Sequence, residues 1–205
     1  MDDTSVAEHL ASYIADHALA PGARLPPERE LAAQLGISRP ALREATRRLI
    51  GLSVLEPRAG SGTYLAPIHH DDLMAVRLAL EPLAAAQMAT RATADQARGL
   101  QKLMADLRRL VDRSDRFARQ DLAIHAAIAE GSGNRYLAGS LSELNAALRL
   151  SRARTAPDPA RRTSTLTELD AVVDAIGRHH AGDAEAAMHA HLTGVKAHPI
   201  TATGR

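Results

Sequence analysis

The chain of 205 residues is longer than one small domain and short for three, which points to two compact units. Apolar residues make up 45% of it and aromatic ones only 2%, so its cores must come from Leu, Ala, Val and Ile at helical spacing, in an α-rich protein. The absence of cysteine excludes disulfide staples and thiolate metal sites, and a net charge of +1 excludes nucleic-acid binding through bulk basicity, leaving only a local basic segment for that role.

In chain order, Val6, Leu10, Tyr13 and Ile14 form an i, i+4, i+7, i+8 stripe behind Thr4 and Ser5, predicting a first helix with a hydroxyl N-cap. Pro21-Gly22 breaks it. Pro26-Pro27 opens a second helix, which Gly36 closes after Leu35. Ser38 is a strong N-cap for a third helix, with Pro40 in its first turn, running to about Gly51. Val54-Leu55-Glu56-Pro57 and Thr63-Tyr64-Leu65 flank a glycine-containing turn, Ala59-Gly60-Ser61-Gly62, and predict a short β-hairpin. Three helices followed by a hairpin make a winged helix-turn-helix domain over residues 1–67, and Ala66-Pro67-Ile68-His69-His70 is the expected hinge.

The rest predicts helix throughout, near residues 71–92, 94–112, 115–130, 135–154, 165–180 and 184–197, an all-α antiparallel bundle followed by a tail at 198–205. Thr93-x-x-Gln96 and Thr165-x-x-Glu168 have the pattern of capping boxes. Gly131-Ser132-Gly133 and Thr155-Ala156-Pro157-Asp158-Pro159 are the clearest breaks. No segment approaches the ~20 apolar residues of a membrane span, and the N-terminus is acidic without an apolar run, so a cytoplasmic protein without membrane contact is expected.

Between Arg39 and Arg58 lie five arginines against Glu44 and Glu56. In the third helix Arg39, Arg43 and Arg47 share one face at i, i+4 and i+8, while Leu42, Ala45 and Leu49 occupy the other. Such a row is compatible with a solvated face. On a winged helix it also suits the major groove of double-stranded DNA, where Arg bonds guanine O6 and N7 bidentately, with Arg39 and Arg43 nearest the reading end. Ser38 and the free amides beside it can hold a phosphate, Arg29 would face the DNA backbone, and the small residues of the Gly60-Ser61-Gly62 turn allow close approach to a groove.

The runs Arg24-Leu25-Pro26-Pro27-Glu28-Arg29-Glu30-Leu31-Ala32, Leu35-Gly36-Ile37-Ser38-Arg39-Pro40-Ala41-Leu42-Arg43-Glu44-Ala45 and Gly60-Ser61-Gly62-Thr63-Tyr64 closely resemble the DNA-binding domain of GntR-type regulators, over most of residues 5–66. The resemblance implies Arg29, Arg39 and Arg43 as operator contacts, assisted by Ser38 and Gly60. Pro27 departs from the pattern, standing where a Ser is often found.

In the second half Asp121 and His125 lie on one helix face with Phe117 and Ile128, and His191 interrupts a similar stripe of Ala184, Met188, Leu192 and Val195. Buried polar groups need partners, so this set is either a hydrogen-bonded Asp-His pair or the ligand set of a divalent ion such as zinc, nickel or manganese. Residues 71–195 resemble the FCD effector domain carried by one branch of GntR regulators, through Arg77-x-x-Leu80-Glu81, Asp121-x-x-x-His125, Gly131-Ser132-Gly133-Asn134 and His191-Leu192. The resemblance implies a metal held by an Asp, three histidines and a small organic acid. The chain departs from it at Leu169, which occupies an expected His position and cannot coordinate metal; His179, His180 and His189 are the candidate substitutes. Arg77 is the expected clamp for an effector carboxylate, with an i, i+4 pair to Glu81 as the alternative, and Asn134 is either an effector contact or the cap of the next helix.

These readings predict a homodimeric, ligand-responsive regulator, a repressor of a palindromic operator, with an effector-binding and dimerisation domain over 71–197, and not an enzyme. Two alternatives stay open: a DNA-binding protein whose effector pocket has decayed, and a metal-dependent hydrolase with a DNA-binding appendage, for which no general base is evident beside the ligands.

Overall fold

The structure is a computed structural model that describes residues 3–17, 19–67, 69–152 and 158–197. Of the described residues, those within 3–69 and 146–152 form one compact unit, and those within 70–145 and 158–197 another.

The first unit opens with α1 (Asp3–Asp16), which buries Val6, Leu10 and Ile14. Thr4 and Ser5 lie inside α1, so the expected hydroxyl caps are not its N-cap: the helix starts upstream of them, at Asp3. Next comes α2 (Glu28–Leu35), entered through Pro27 and closed by Gly36 in the left-handed conformation (φ 65°), where a side chain would be strained. Ser38 caps α3 (Arg39–Gly51), its hydroxyl accepting from Ala41 N at 3.3 Å, and Pro40 sits in the first turn, where its missing N–H costs nothing. Helix α3 packs on α1 and α2 through Leu42, Ala45 and Leu49.

Strands β1 (Leu55–Arg58) and β2 (Gly62–Leu65) pair antiparallel, with Leu55 opposite Leu65 and Arg58 opposite Gly62. Residues 22–25 add a third, edge segment that the sequence reading did not foresee. Leu25 N donates to Thr63 O and Leu65 N to Ala23 O, both at 2.9 Å, with Arg24 bridged to Tyr64. The segment that breaks α1 thereby anchors the wing.

The second unit is built on α4 (His70–Arg91), α5 (Ala94–Arg109), α6 (Ser114–Gly131), α8 (Pro159–Gly177) and α9 (Ala181–Ala197), with residues 135–145 of α7 (Arg135–Arg152), whose remaining residues belong to the first unit. Helix α4 runs through a buried Pro82 and packs on α6, α8 and α9, while α5 packs on α6 and α8. Thr93 and Gln96 make the reciprocal capping box expected for α5. The second box does not exist. Helix α8 begins six residues before Thr165, at Pro159, with Asp158 accepting from Arg161 N at 2.8 Å, so Thr165 is buried in mid-helix and Glu168 is free for other bonds. Asp158-Pro159, read as part of a break, is a helix start: a carboxylate cap followed by Pro at N1. Residues 155–157 of that break, Ile68 of the hinge and the 198–205 tail lie outside the described residues.

The core of this unit joins Met74, Met88, Leu100, Met104, Leu107, Phe117, Ile124, Ile128, Leu169, Val172, Ile176, Met188 and Leu192. Phe117 is its sole aromatic member, in keeping with the composition. Gly131 packs against it, and a Cβ there would lie 2.6 Å from Met88 Sδ, so that side chain would have to shift.

Candidate nucleic-acid interface and effector site

The capped start of α3 determines the orientation of its arginines. With Leu42, Ala45 and Leu49 turned inward, Arg39, Arg43 and Arg47 keep 59%, 51% and 66% of their side chains in solvent, which makes them available to a partner. They are not loose. Glu28, the first residue of α2, takes Arg43 side-on, its Oε2 accepting from Nε at 3.1 Å and its Oε1 from Nη2 at 2.8 Å. The same Oε1 accepts from Arg39 Nε at 3.1 Å. The hydrogen bond from Arg43 holds the Glu28 carboxyl below its usual range; burial opposes it, and the bond from Arg39 adds to the lowering. Arg47 pairs instead with Glu44 at 3.0 Å.

Arg29 and Ser38 are both exposed, Arg29 on α2 and Ser38 at the head of α3. Gly60 sits at the tip of the wing with φ 69°, a conformation open to glycine at little cost, and a Cβ there would meet nothing within 4 Å. Beside it Ser61 Oγ and Tyr64 Oη are 2.5 Å apart, and the Arg58 guanidinium lies 4.1 Å over the Tyr64 ring. Glu28 and this small aromatic support were missed from the sequence. The signal for Glu28 was only its place one residue before Arg29.

In the helical unit the structure brings Asp121, His125 and His191 together from α6 and α9, with potential ligand atoms within 4.8 Å of one another and all three residues buried. The two imidazoles stack with centroids 5.2 Å apart. His125 Nδ1 lies 2.5 Å from Glu81 Oε2, and His191 Nδ1 lies 2.8 Å from Glu168 Oε2. Each carboxylate is held in turn by an arginine. Glu81 accepts from Arg77 through both its oxygens, and Glu168 from both terminal nitrogens of Arg161, one at 2.8 Å. Two Arg–Glu–His chains therefore converge on one point, each fixing an imidazole through Nδ1. The Nε2 atoms of His125 and His191 are buried without a hydrogen-bond partner, and His125 Nε2 stands 3.8 Å from Asp121 Oδ1, beyond bonding range.

Burial opposes the charge on Glu81, but Arg77 and then His125 outweigh it and hold the carboxyl well below the usual carboxylate range. Burial likewise opposes protonation of His125, and Glu81 overcomes this and raises it. His191 goes the other way: burial, aided by the positive His125 and only partly offset by Glu168, lowers it, favouring the neutral ring. With Nδ1–H donating to Glu168, its Nε2 lone pair is available to an electrophile. Glu168 itself is lowered, burial being outweighed by bonds from His191 and Arg161.

Arg77 is wholly buried and committed to Glu81, the alternative that the i, i+4 spacing offered. Asn134 caps α7, its Oδ1 accepting from Tyr136 N and Leu137 N, both at 3.2 Å. Leu169 is fully buried in the apolar core. None of the candidate substitutes joins the Asp121, His125 and His191 cluster: His179 faces Ala89 O at 2.9 Å, His180 pairs with Asp183 at 3.2 Å, and His189 is exposed. Glu168 and Arg161 were missed, because Thr165-x-x-Glu168 imitates a cap and thereby hides the carboxylate's other use. Among the described residues no helix is long and apolar enough to cross a membrane.

Residues 3–65 match the family described as bacterial regulatory proteins, gntR family, and residues 72–194 match the FCD domain. The chain is 31% identical over 214 residues to the "Putative L-lactate dehydrogenase operon regulatory protein" of Escherichia coli (strain K12), covering 92% of this chain and 82% of that protein. It is 27% identical over 207 residues to the HTH-type transcriptional regulator LutR of Bacillus subtilis (strain 168), covering 87% of this chain and 92% of that one. Among solved structures it is similar to E. coli McbR/YncC with a TM-score of 0.81 over 96% of each chain, a likeness of fold at 21% identity. A Ser-capped, arginine-bearing α3 within a match to one domain, and a buried Asp-His-His set within a match to the other, place the chain in the gntR family of bacterial transcription regulators, in the branch that carries an FCD domain.

Proposed function

We propose that the chain is a ligand-responsive repressor that binds a palindromic operator as a homodimer. Residues 1–67 grip the DNA, and residues 71–197 bind the effector and form the dimer. Arg39 and Arg43 read base edges, Arg29 and Ser38 hold phosphates, and Gly60 lets the wing approach the duplex. A two-fold dimer matches two-fold operator symmetry.

The observation that carries the sensing role is the pair of buried, partnerless Nε2 atoms beside Asp121. Leaving such atoms unbonded costs free energy in the free protein, which a ligand recovers. The residues fit a divalent ion: Asp121, His125 and His191 would hold it, while Glu81 and Glu168 orient the imidazoles through their other nitrogens, the usual support of a histidine ligand. Such an ion would act as a Lewis acid that draws a carboxylate into the site. With Leu169 in the fourth ligand's place, the protein supplies three ligands and the small organic acid completes the set. Arg77 and Asn134 serve this effector site from behind, Arg77 by fixing Glu81 and Asn134 by fixing the start of α7.

The name of the E. coli relative puts L-lactate first among acids to test. Thermal shift with zinc, nickel or manganese, with and without L-lactate and other short hydroxy acids, is expected to show stabilisation by metal and acid together, and the same mixture is expected to release a duplex selected from a random library. Tight ligand binding with unchanged DNA affinity would refute the sensing role. A duplex-bound protein indifferent to every acid and metal would favour the decayed pocket, for which Leu169 speaks.

A further inference from the structure

Arg39 and Arg43 cannot be considered apart from Glu28. One carboxylate, two-thirds covered, takes both guanidiniums by their inner edges: Nε and Nη2 of Arg43, Nε of Arg39. That choice of edge has a consequence for recognition. A guanidinium held at Nε keeps its outer edge, Nη1 with Nη2, directed away from the carboxylate, and this is an edge that can meet guanine O6 and N7 end-on. No bond to Nη1 of either arginine is made among the described residues, so the outer donors remain available. Glu28 also cancels one of the two positive charges. An exposed pair of arginines without a counter-charge attracts any phosphate, with a salt-dependent and sequence-blind energy.

We propose that Glu28 is a specificity-determining positioning residue, which fixes the outer edges of Arg39 and Arg43 for base reading and suppresses their attraction to DNA of any sequence. It does this from a different helix, α2, so the reading geometry of α3 depends on the α2–α3 packing as well as on α3 itself. The proposal rests on the DNA-reading role of Arg39 and Arg43, and the test separates the two.

The test compares the full chain with its Glu28→Gln, Glu28→Asp and Arg43→Ala variants, all first shown to have the parent's circular dichroism and melting profile. The probes are a duplex selected by the parent from a random library and a scrambled duplex of the same length and composition, titrated by fluorescence anisotropy at several salt concentrations. For Glu28→Gln, affinity for the selected duplex is expected to fall about tenfold, the size of one weakened bidentate base contact. Affinity for the scrambled duplex is expected to hold or rise, with its salt slope steeper by about one. Glu28→Asp keeps the charge and shortens the reach, so it is expected to retain the parent's salt slope while losing affinity for the selected duplex. A selected-to-scrambled ratio for Glu28→Gln equal to the parent's overturns the proposal when Arg43→Ala abolishes selection. If Arg43→Ala leaves selection intact, the base-reading role itself fails and the proposal falls with it.

Discussion

Replacing Glu81 by Gln removes one charge from a buried ion pair. The Arg77 side chain has no solvent exposure and that of Glu81 has 4%, and Arg77 spends Nε and Nη2 on the two carboxylate oxygens, while Nη1 lies 3.9 Å from Met74 Sδ. The Gln variant keeps the shape and leaves a buried guanidinium without its counter-charge. Breaking one side of such a pair costs about 3–5 kcal/mol. At about 2–4 °C per kcal/mol in a chain of this size, the melting temperature of the helical unit is expected to fall by roughly 6–20 °C. Removing both charges, as in Arg77→Met with Glu81→Leu, is expected to recover part of that loss, because an apolar pair of similar volume carries no desolvation cost, while His125 Nδ1 still loses its acceptor. Calorimetry and denaturant titration of the parent, Arg77→Met, Glu81→Leu and the double variant complete the cycle. A Glu81→Gln variant within about 1 kcal/mol of the parent, or a double variant worse than the sum of the singles, would refute the reading of Arg77 and Glu81 as a mutually dependent buried pair.

Glu168→Gln tests the parallel chain under milder conditions, because Glu168 keeps 26% of its side chain in solvent. It is expected to weaken nickel or zinc binding about 10- to 100-fold in isothermal titration, with a smaller fall in melting temperature than Glu81→Gln although Arg161 loses its partner, and unaltered binding would remove Glu168 from the support of His191. Ser38→Ala is expected to cost the winged unit about 0.5–2 kcal/mol in denaturant titration, through loss of the acceptor for Ala41 N, with Ser38→Thr restoring most of it. Gly60→Ala is expected to cost about 1–2 kcal/mol, all of it backbone strain at φ 69°, since an added Cβ meets nothing within 4 Å; Gly60→Asn, which tolerates that conformation better, is expected to cost less.

What could be read from the sequence was local. The stripe of α1, the Ser38 cap, the left-handed Gly36, the wing glycines and the alternation of arginines with leucines on α3 are each encoded within one or two turns of chain, and the structure shows every one. The edge segment 22–25 escaped because its pairing partner, β2, lies some forty residues on, and the alternation of Ala23-Arg24-Leu25 is too short to signal a strand by itself. The start of α8 escaped for a different reason. Thr165-x-x-Glu168 satisfies the pattern of a cap, and only the tertiary bonds of Glu168, to Arg161 seven residues earlier and to His191 twenty-three later, show that the carboxylate has other work.

The site residues divide the same way. Spacing put Asp121 and His125 on one face of their helix and the arginines of α3 on one face of theirs, so the groups proposed to meet a ligand were visible from the sequence. Their partners were not. Three glutamates each hold two basic groups: Glu28 takes Arg39 and Arg43, Glu81 takes Arg77 and His125, and Glu168 takes Arg161 and His191. Only the Arg77–Glu81 contact lies within helical reach along the chain, and it alone was foreseen as an alternative. Periodicity reveals which face a side chain occupies, whereas its charge, its tautomer and the edge it presents are fixed by a carboxylate from another turn or another helix. The sharpest tests therefore lie with these glutamates: each changes how a group proposed to meet a ligand is held without removing that group.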